Sequence, residues 1–369
     1  MSGPNQFSLL RQRRFAPFFA TQFLGALNDN IFRNGLVILI TFQGVLVAGM
    51  DHSQLANVAA GLFILPYFLF SATAGQLADK YEKSMLIRRI KLLEIGLMAF
   101  AGTALITESY SLLLLVLFLM GLQSTLFGPV KYAYLPQQLA DHELVGGNAL
   151  VESGTYVAII LGLIAGGIAV GDEIATFLLI DKQTILGACL VAVAVIGYLT
   201  SRQVPTTQAA DPALEINWNV WKETWRIVQF AREERSVFLS ILGISWFWFF
   251  GSAMTIQIPA YTLDILNGNE AVTTFLLAAF AVGVGVGSLL CERLSRHRIE
   301  LGLVPFGAIG LSVFALDLDF AQPQAQPLPA TSIAEFLVHP GGIRVWFDLA
   351  MIGAFGGFYS VPLYALIQK

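Results

Sequence analysis

Residues 111–131 read SLLLLVLFLMGLQSTLFGPVK. From Ser111 to Val130 no side chain carries a charge, and most are Leu, Val, Phe or Met. About 20 such residues in one helix cross the ~30 Å hydrocarbon core of a bilayer. Nine further stretches qualify in the same way, near 15–47, 57–78, 86–106, 145–170, 184–201, 236–263, 271–292, 300–318 and 344–367. The composition agrees. The 369 residues are 56% hydrophobic and only 12% charged, with a mean hydropathy of +0.69, where a soluble domain carries about 25% charged residues. The chain therefore reads as an all-α membrane protein with ten spans.

Lysine and arginine orient it. With the N-terminus in the cytoplasm, 18 of the 21 basic residues fall on the cytoplasmic side. Among them are Arg11, Arg13 and Arg14 before the first span and Lys80, Lys83, Arg88, Arg89 and Lys91 after the second. The outer loops hold Lys182 and Arg344, and Arg33 lies within a span. This is the bias of the positive-inside rule. The first apolar run is too long for a signal peptide and has no small-residue cleavage site, so it reads as a retained helix. That run is long enough to be tilted or broken, with Asn28-Asp29-Asn30 as its weak point.

Six spans precede a polar, proline-punctuated linker from Gln203 to Pro212. Trp218, Trp221, Trp225 and Val228 then recur at helical spacing among Lys222, Arg226 and Arg232, the pattern of an amphipathic helix on the cytoplasmic surface. The expected organisation is a six-helix bundle over 1–203, a linker over 204–235 and a second bundle over 236–369. A weak repeat supports two related halves. Gly75-x-x-x-Asp79 matches Gly287-x-x-x-Cys291, and Gly121, Tyr132 and Ala133 match Gly353, Tyr364 and Ala365. Parallel halves of six helices are a common transporter plan. By that plan two helices are missing after about ten, and the chain is expected to be a piece of a longer protein.

Candidate functional residues follow from charge at bilayer depth, which is costly and tends to face a cavity and pair. Asp29 and Arg33 are four apart and share a helix face, flanked by Asn28, Asn30 and Asn34. They read as a polar site on a substrate path, or as an i,i+4 ion pair that holds the bundle. Glu152, beside Ser153 and Thr155, reads equally as a site residue or a structural partner. Glu94, one turn beyond Lys91, is read as snorkelling from the cytoplasmic end. Gly75, Asp79 and Lys83 lie around the loop between spans two and three, where an aspartate at a helix C-terminus needs a facing cation. This is a candidate conformational latch. Gly128-Pro129-Val130-Lys131-Tyr132 reads as the terminator of span four with a snorkelling lysine, or as a headgroup contact. Trp246 to Phe250 read mainly as packing. Gln22 and Gln257 are uncharged polar groups that need partners.

Enzyme chemistry is not supported. His52, His142, His297 and His339 fall in loops on different sides, so they cannot form one metal site. Cys189 and Cys291 sit in apolar runs without metal-ligand spacing. Gly283-x-Gly285-x-Gly287 lies in a span and is a helix-packing face. No cofactor is implied, and no charged tail points to nucleic acid.

The Gly75-x-x-x-Asp79 loop with a six-plus-six plan resembles the major facilitator superfamily. Three segments resemble its bacterial lysophospholipid transporter family. They are Gln22–Asn30, Gly128–Tyr132 with Gly147–Glu152, and Gly356–Gln368. The resemblance implies a flippase carrying lysophospholipids, chiefly lysophosphatidylethanolamine, across the bacterial inner membrane for re-acylation by alternating access. The partners it implies are membrane lipids, the lysophospholipid and an acyltransferase/acyl-carrier-protein synthetase, fused or separate. Asp29, Lys131 and Glu152 match the family's first-helix aspartate, loop lysine and fifth-helix glutamate. Gln257 stands where some members carry an arginine. Arg33, which departs from stand-alone members, is the alternative positive charge for the headgroup phosphate. A drug- or metabolite-exporting facilitator, and a membrane domain of a lipid-acylating enzyme, are the competing readings.

Overall fold

The computed structural model describes residues 6–42, 52–170, 172–266, 268, 270–295, 298–321, 333–338 and 341–368. After a 3-10 turn at Gln6–Arg11 come α1 (Ala16–Phe42), α2 (His52–Lys80), α3 (Lys83–Ile106), α4 (Tyr110–Gln138), α5 (Asp141–Ala169), α6 (Asp172–Leu178) and α7 (Lys182–Ser201). They are followed by α8 (Val220–Glu233), α9 (Arg235–Ala260), α10 (Glu270–Leu294), α11 (Leu303–Phe320), α12 (Ile333–Val338) and α13 (Gly342–Ile367). A π-helical turn, Tyr261–Ile265, continues α9. Among the described residues, ten long helices sit on the ten apolar stretches. Eight of them are long and apolar enough to cross a membrane, while α1 carries Asp29 and Arg33, and α3 carries Lys91 and Glu94. The end of the first predicted span, 43–47, lies outside the described residues.

Two compact units emerge. One, the α1 unit, comprises Ser8–Gln138 and Ala158–Phe230; the other, the α13 unit, comprises Met1–Phe7, Leu139–Val157 and Ala231–Lys369. In the α1 unit, α2 packs on α4, α3 on α4 and α7, and α1 on α7. Phe32, Leu36, Met98, Leu117, Met120, Leu186 and Leu190 form its buried apolar centre. In the α13 unit, α13 packs on α9, α10 and α11.

Lipid tails are as apolar as leucine, so helices in a bilayer gain little from burying leucine against leucine. Close approach at small residues is what draws them together. Here α3 and α7 meet at Gly102 and Gly187, where a Cβ on Gly187 would stand 3.0 Å from the Gly102 Cα. The glycine face of α10 lies on α13, with Gly283 against Ala350 and Gly287 against Ala354, so these two helices run parallel. The weak sequence repeat has a packing counterpart. Gly121 of α4 lies under the Phe63 carbonyl of α2, and Gly353 of α13 lies under the Phe280 carbonyl of α10.

Three expectations are corrected. First, α1 is unbroken at Asn28-Asp29-Asn30. Asparagine and aspartate disfavour helix centres by competing for the backbone, but here neighbouring helices and the i−4 carbonyl occupy their side chains. Second, α4 does not stop at Pro129 but runs to Gln138 through two prolines. Proline is tolerated inside a membrane helix when surrounding groups satisfy the freed backbone. Third, Trp218 precedes α8, while Trp221, Trp225 and Phe230 lie on it and are exposed.

Candidate functional site

The polar face of α1 organises the α1 unit. Asp29 is half-buried and accepts a 2.7 Å hydrogen bond from the Ser124 hydroxyl of α4. Arg33 donates through Nη2 to Asn30 Oδ1 at 2.8 Å, and its guanidinium lies 5.8 Å from the centre of the Phe63 ring. Asn30 in turn donates to the Ala26 carbonyl at 2.7 Å. Asp29 and Arg33 are thus engaged separately and do not close the i,i+4 pair that their spacing allows. Asn34 reaches the Leu163 carbonyl of α5 at 2.7 Å. α5 comes this close because a Cβ at Gly162 would already meet Asn30 Cβ at 2.6 Å and the Leu27 carbonyl at 2.9 Å.

One turn along, the structure corrects the reading of Glu94. It does not snorkel. Lys91 and Glu94 are each 1% exposed and form a 2.6 Å ion pair. Glu94 also accepts from Asn28 at 3.0 Å and from Gln123 at 3.2 Å. Lys91 lies 5.6 Å from the Phe127 ring centre and rests on Gly25, where any side chain would collide with its ammonium. Because α3 begins at Lys83, positions 91 and 94 are already two to three turns inside. A buried ion pair survives only with good geometry and further hydrogen bonds, and Asn28 and Gln123 supply them. Ser124 follows Gln123, so α4 serves the pair and Asp29 from adjacent positions. Sequence reasoning missed Lys91, Glu94, Gln123 and Ser124 as one cluster with α1. The available signal was the i,i+3 spacing of two opposite charges in one span.

At the candidate latch around the α2–α3 loop, Lys83 and Asp79 attract one another electrostatically. Asp79 is exposed at its side chain, whereas Lys83 is 1% exposed. What covers the α2–α3 loop is the 203–219 segment. Gln76 exchanges hydrogen bonds with the Asn217 backbone at 2.7 and 3.2 Å. The Asp211 amide donates to the Asp79 carbonyl at 3.0 Å. Lys83 reaches the Gln208 carbonyl at 3.4 Å, and Arg88 reaches that of Val204 at 3.1 Å. Glu82 caps α3 through the Ser84 and Met85 amides and takes the Thr207 amide and hydroxyl at 2.7 and 2.8 Å. Burial pushes the Glu82 carboxyl up, but the bonds from Thr207, Ser84 and Met85 outweigh it and hold it below its ordinary value of 4.5. A carboxyl depressed on folding stabilises fully above its unfolded value and less as pH falls toward the folded one. Proteolytic cleavage between Gln203 and Asn219 is therefore expected to rise as pH drops below about 4. Glu82→Ala should raise it about tenfold at neutral pH, as the loss of charge-assisted hydrogen bonds of ~1.5–3 kcal/mol allows. Unchanged cleavage in the variant would show that Glu82 does not hold the segment.

Of the other predicted residues, Lys131 belongs to the α1 unit. Lys131 is half-buried on α4, its ammonium 4.7 Å from the Tyr132 ring centre. Glu152 and Gln257 belong to the α13 unit. Glu152 is 2% exposed on α5, next to Ser153, which bonds the Gly285 carbonyl of α10 at 2.8 Å. Gln257 is exposed on α9. Two of the sequence segments that carry the resemblance meet here. Asn148 and Gln368 exchange reciprocal amide hydrogen bonds of 2.8 and 2.9 Å.

Comparison with known proteins places this architecture. The lysophospholipid transporter LplT of Klebsiella pneumoniae subsp. pneumoniae is 28% identical over 354 residues, spanning 94% of this chain and 78% of that protein. LplT of Escherichia fergusonii is 27% identical over 357 residues, with 94% and 78% covered. Among solved structures, the transporter FucP in its outward conformation matches with a TM-score of 0.63 at 16% identity, over 96% of this chain and 88% of that one. The model of the Major Facilitator Superfamily matches residues 17–369. So little of the chain falls outside that match that the protein belongs to the Major Facilitator Superfamily.

Proposed function

We propose that this protein is a lysophospholipid transporter that moves lysophosphatidylethanolamine across the bacterial inner membrane for re-acylation. The observation that carries the reading is the similarity to LplT proteins along 94% of the chain. The α1 unit supplies chemistry suited to such a substrate. Arg33 is a cation for a phosphate, and Asp29 is an anion for an ethanolamine ammonium, each a charge-assisted contact. Both are only half-buried, unlike Lys91 and Glu94, so they are the charges a headgroup can reach. The single acyl chain needs only apolar helix surface. Alternating access is the mechanism proposed, with the loop segments around Asp79 and Lys83 as a latch. The basic residues support a cytoplasmic N-terminus. The exposed tryptophans of α8 support its placement on the cytoplasmic surface. The product of inward movement calls for an acyltransferase partner, fused or separate.

The test is uptake and re-acylation of labelled lysophosphatidylethanolamine by spheroplasts that lack their own carrier. The native protein is expected to restore uptake. Asp29→Asn should lower it about tenfold or more at equal expression, matching the loss of a charge-assisted contact of ~1.5–3 kcal/mol. If a folded native protein restores nothing, the lysophospholipid assignment falls. If Asp29→Asn transports normally, the headgroup is met elsewhere.

A further inference from the structure

The α13 unit holds a second set of charges that the proposed transport site does not use. Arg344, in the first turn of α13, forms a bidentate ion pair with Asp317 of α11. This pair is partly exposed, with side-chain accessibilities of 49% and 33%. One turn further into the unit is Asp348, four residues from Arg344 on the same helix. Asp348 is 1% exposed, and among the described residues neither of its carboxylate oxygens has a hydrogen-bond donor. Its carboxyl faces that of Asp317.

Among the described residues, the surrounding titratable groups are few. Tyr261, on the π-helical turn after α9, stands near Asp348 and Asp319, and its hydroxyl is directed at the Leu318 carbonyl at 3.5 Å. α12 offers Glu335, which is exposed. α10 runs parallel to α13, so its Glu292 and Arg293 fall at the far end from Asp348. Two facing carboxyls thus share one cation, whose Nε and Nη2 both bond Asp317 while no donor of it reaches Asp348. An ionised carboxylate buried without a donor is strongly disfavoured, and two adjacent carboxylates resist joint ionisation. A proton supplies both the missing neutrality and the missing donor.

We infer that Asp348 and Asp317 form a proton-binding site in which Asp348 carries the proton and hydrogen-bonds it to Asp317, whose charge Arg344 balances. The proton comes from water through the partly exposed Asp317 carboxylate and returns the same way, with no other bond changed. The site is independent of the substrate assigned above.

The experiment is infrared difference spectroscopy of the whole protein in lipid nanodiscs. At about pH 6, well above the ordinary aspartate value of about 3.9, the native chain is expected to show the carbonyl stretch of a buried protonated carboxyl. Asp348→Asn should abolish that band and Asp319→Asn should keep it. Asp317→Asn frees Arg344 for Asp348, so it should also abolish the band although Asp348 is still present. This second variant decides the matter if Asp348→Asn does not fold. A band that survives in either decisive variant overturns the proposal. So does a native spectrum without the band, including one whose carboxylate stretch responds to sodium, since that would be a metal-cation site.

Discussion

Lys91→Ala is expected to lower the thermal unfolding midpoint of the protein in detergent by on the order of 10 °C. The variant leaves Glu94 without its counter-charge in a site 1% exposed, with Asn28 and Gln123 as its remaining donors. Removing one partner of a buried ion pair costs about 3–5 kcal/mol, because the survivor keeps its desolvation penalty and loses its counter-charge. The pair as a whole behaves differently. Replacing both partners with apolar residues of similar size is often neutral or stabilising, so Lys91→Met with Glu94→Leu should recover most of the midpoint. Scanning calorimetry or circular dichroism on the three proteins checks this. A single variant as stable as the native chain would mean that water already reaches Glu94. A double variant as unstable as the single one would assign the loss to packing against Gly25 and Phe127.

Gly353→Leu is expected to abolish folding of the α13 unit. A Cβ at this position runs into the Phe280 carbonyl, stands 2.7 Å from the Val284 nitrogen and 3.0 Å from the Gly283 Cα. All three obstacles are backbone, so no rotamer change relieves them and α10 must move away from α13. Overpacking usually costs about 1–3 kcal/mol, and more where the neighbour cannot yield. Here the same displacement also opens the contacts at Gly283, Gly287 and Gly357. Gly61→Leu on α2 is the control, since a Cβ there meets nothing within 4 Å. Monodisperse elution after detergent extraction is the readout. Equal yields of the two variants would show that this crossing is not held by its glycines.

How far the structure was legible depended on how many helices each feature needs. Hydropathy acts along one chain segment, so the ten long helices were visible, while the short α6 and α12 leave no comparable run. A charge inside an apolar stretch is also a one-segment signal, and it singled out Asp29 and Arg33. The Lys91–Glu94 cluster draws on α1, α3 and α4 at once. Its depth depends on where α3 starts, which hydropathy places only to within a turn. Asn148 and Gln368 fall within segments that carry the resemblance without being singled out there, and their paired amides are a contact that only the fold shows. The covering of the α2–α3 loop was invisible because many of its bonds end on backbone carbonyls and amides, which every residue has. Pro129 misled because its rule describes helices in water, where no neighbouring helix shelters the freed carbonyl.

The fastening of residues 204–217 has a mechanical consequence. A free polar segment is a coil whose ends wander by roughly 5–6 Å times the square root of its length. This one is held at Val204, Thr207, Gln208, Asp211 and Asn217. It has no slack to take up. The start of α8 is therefore delivered at a set position relative to the α2–α3 loop, where Trp221 touches Phe68 of α2 with ring centres 5.9 Å apart. With α8 on the bilayer surface as proposed, a lateral load on its exposed tryptophans would pass to that loop through a stiff strut. The packing state of the surrounding lipid, the very material this protein is proposed to recycle, would then bear directly on the segment that joins α2 to α3.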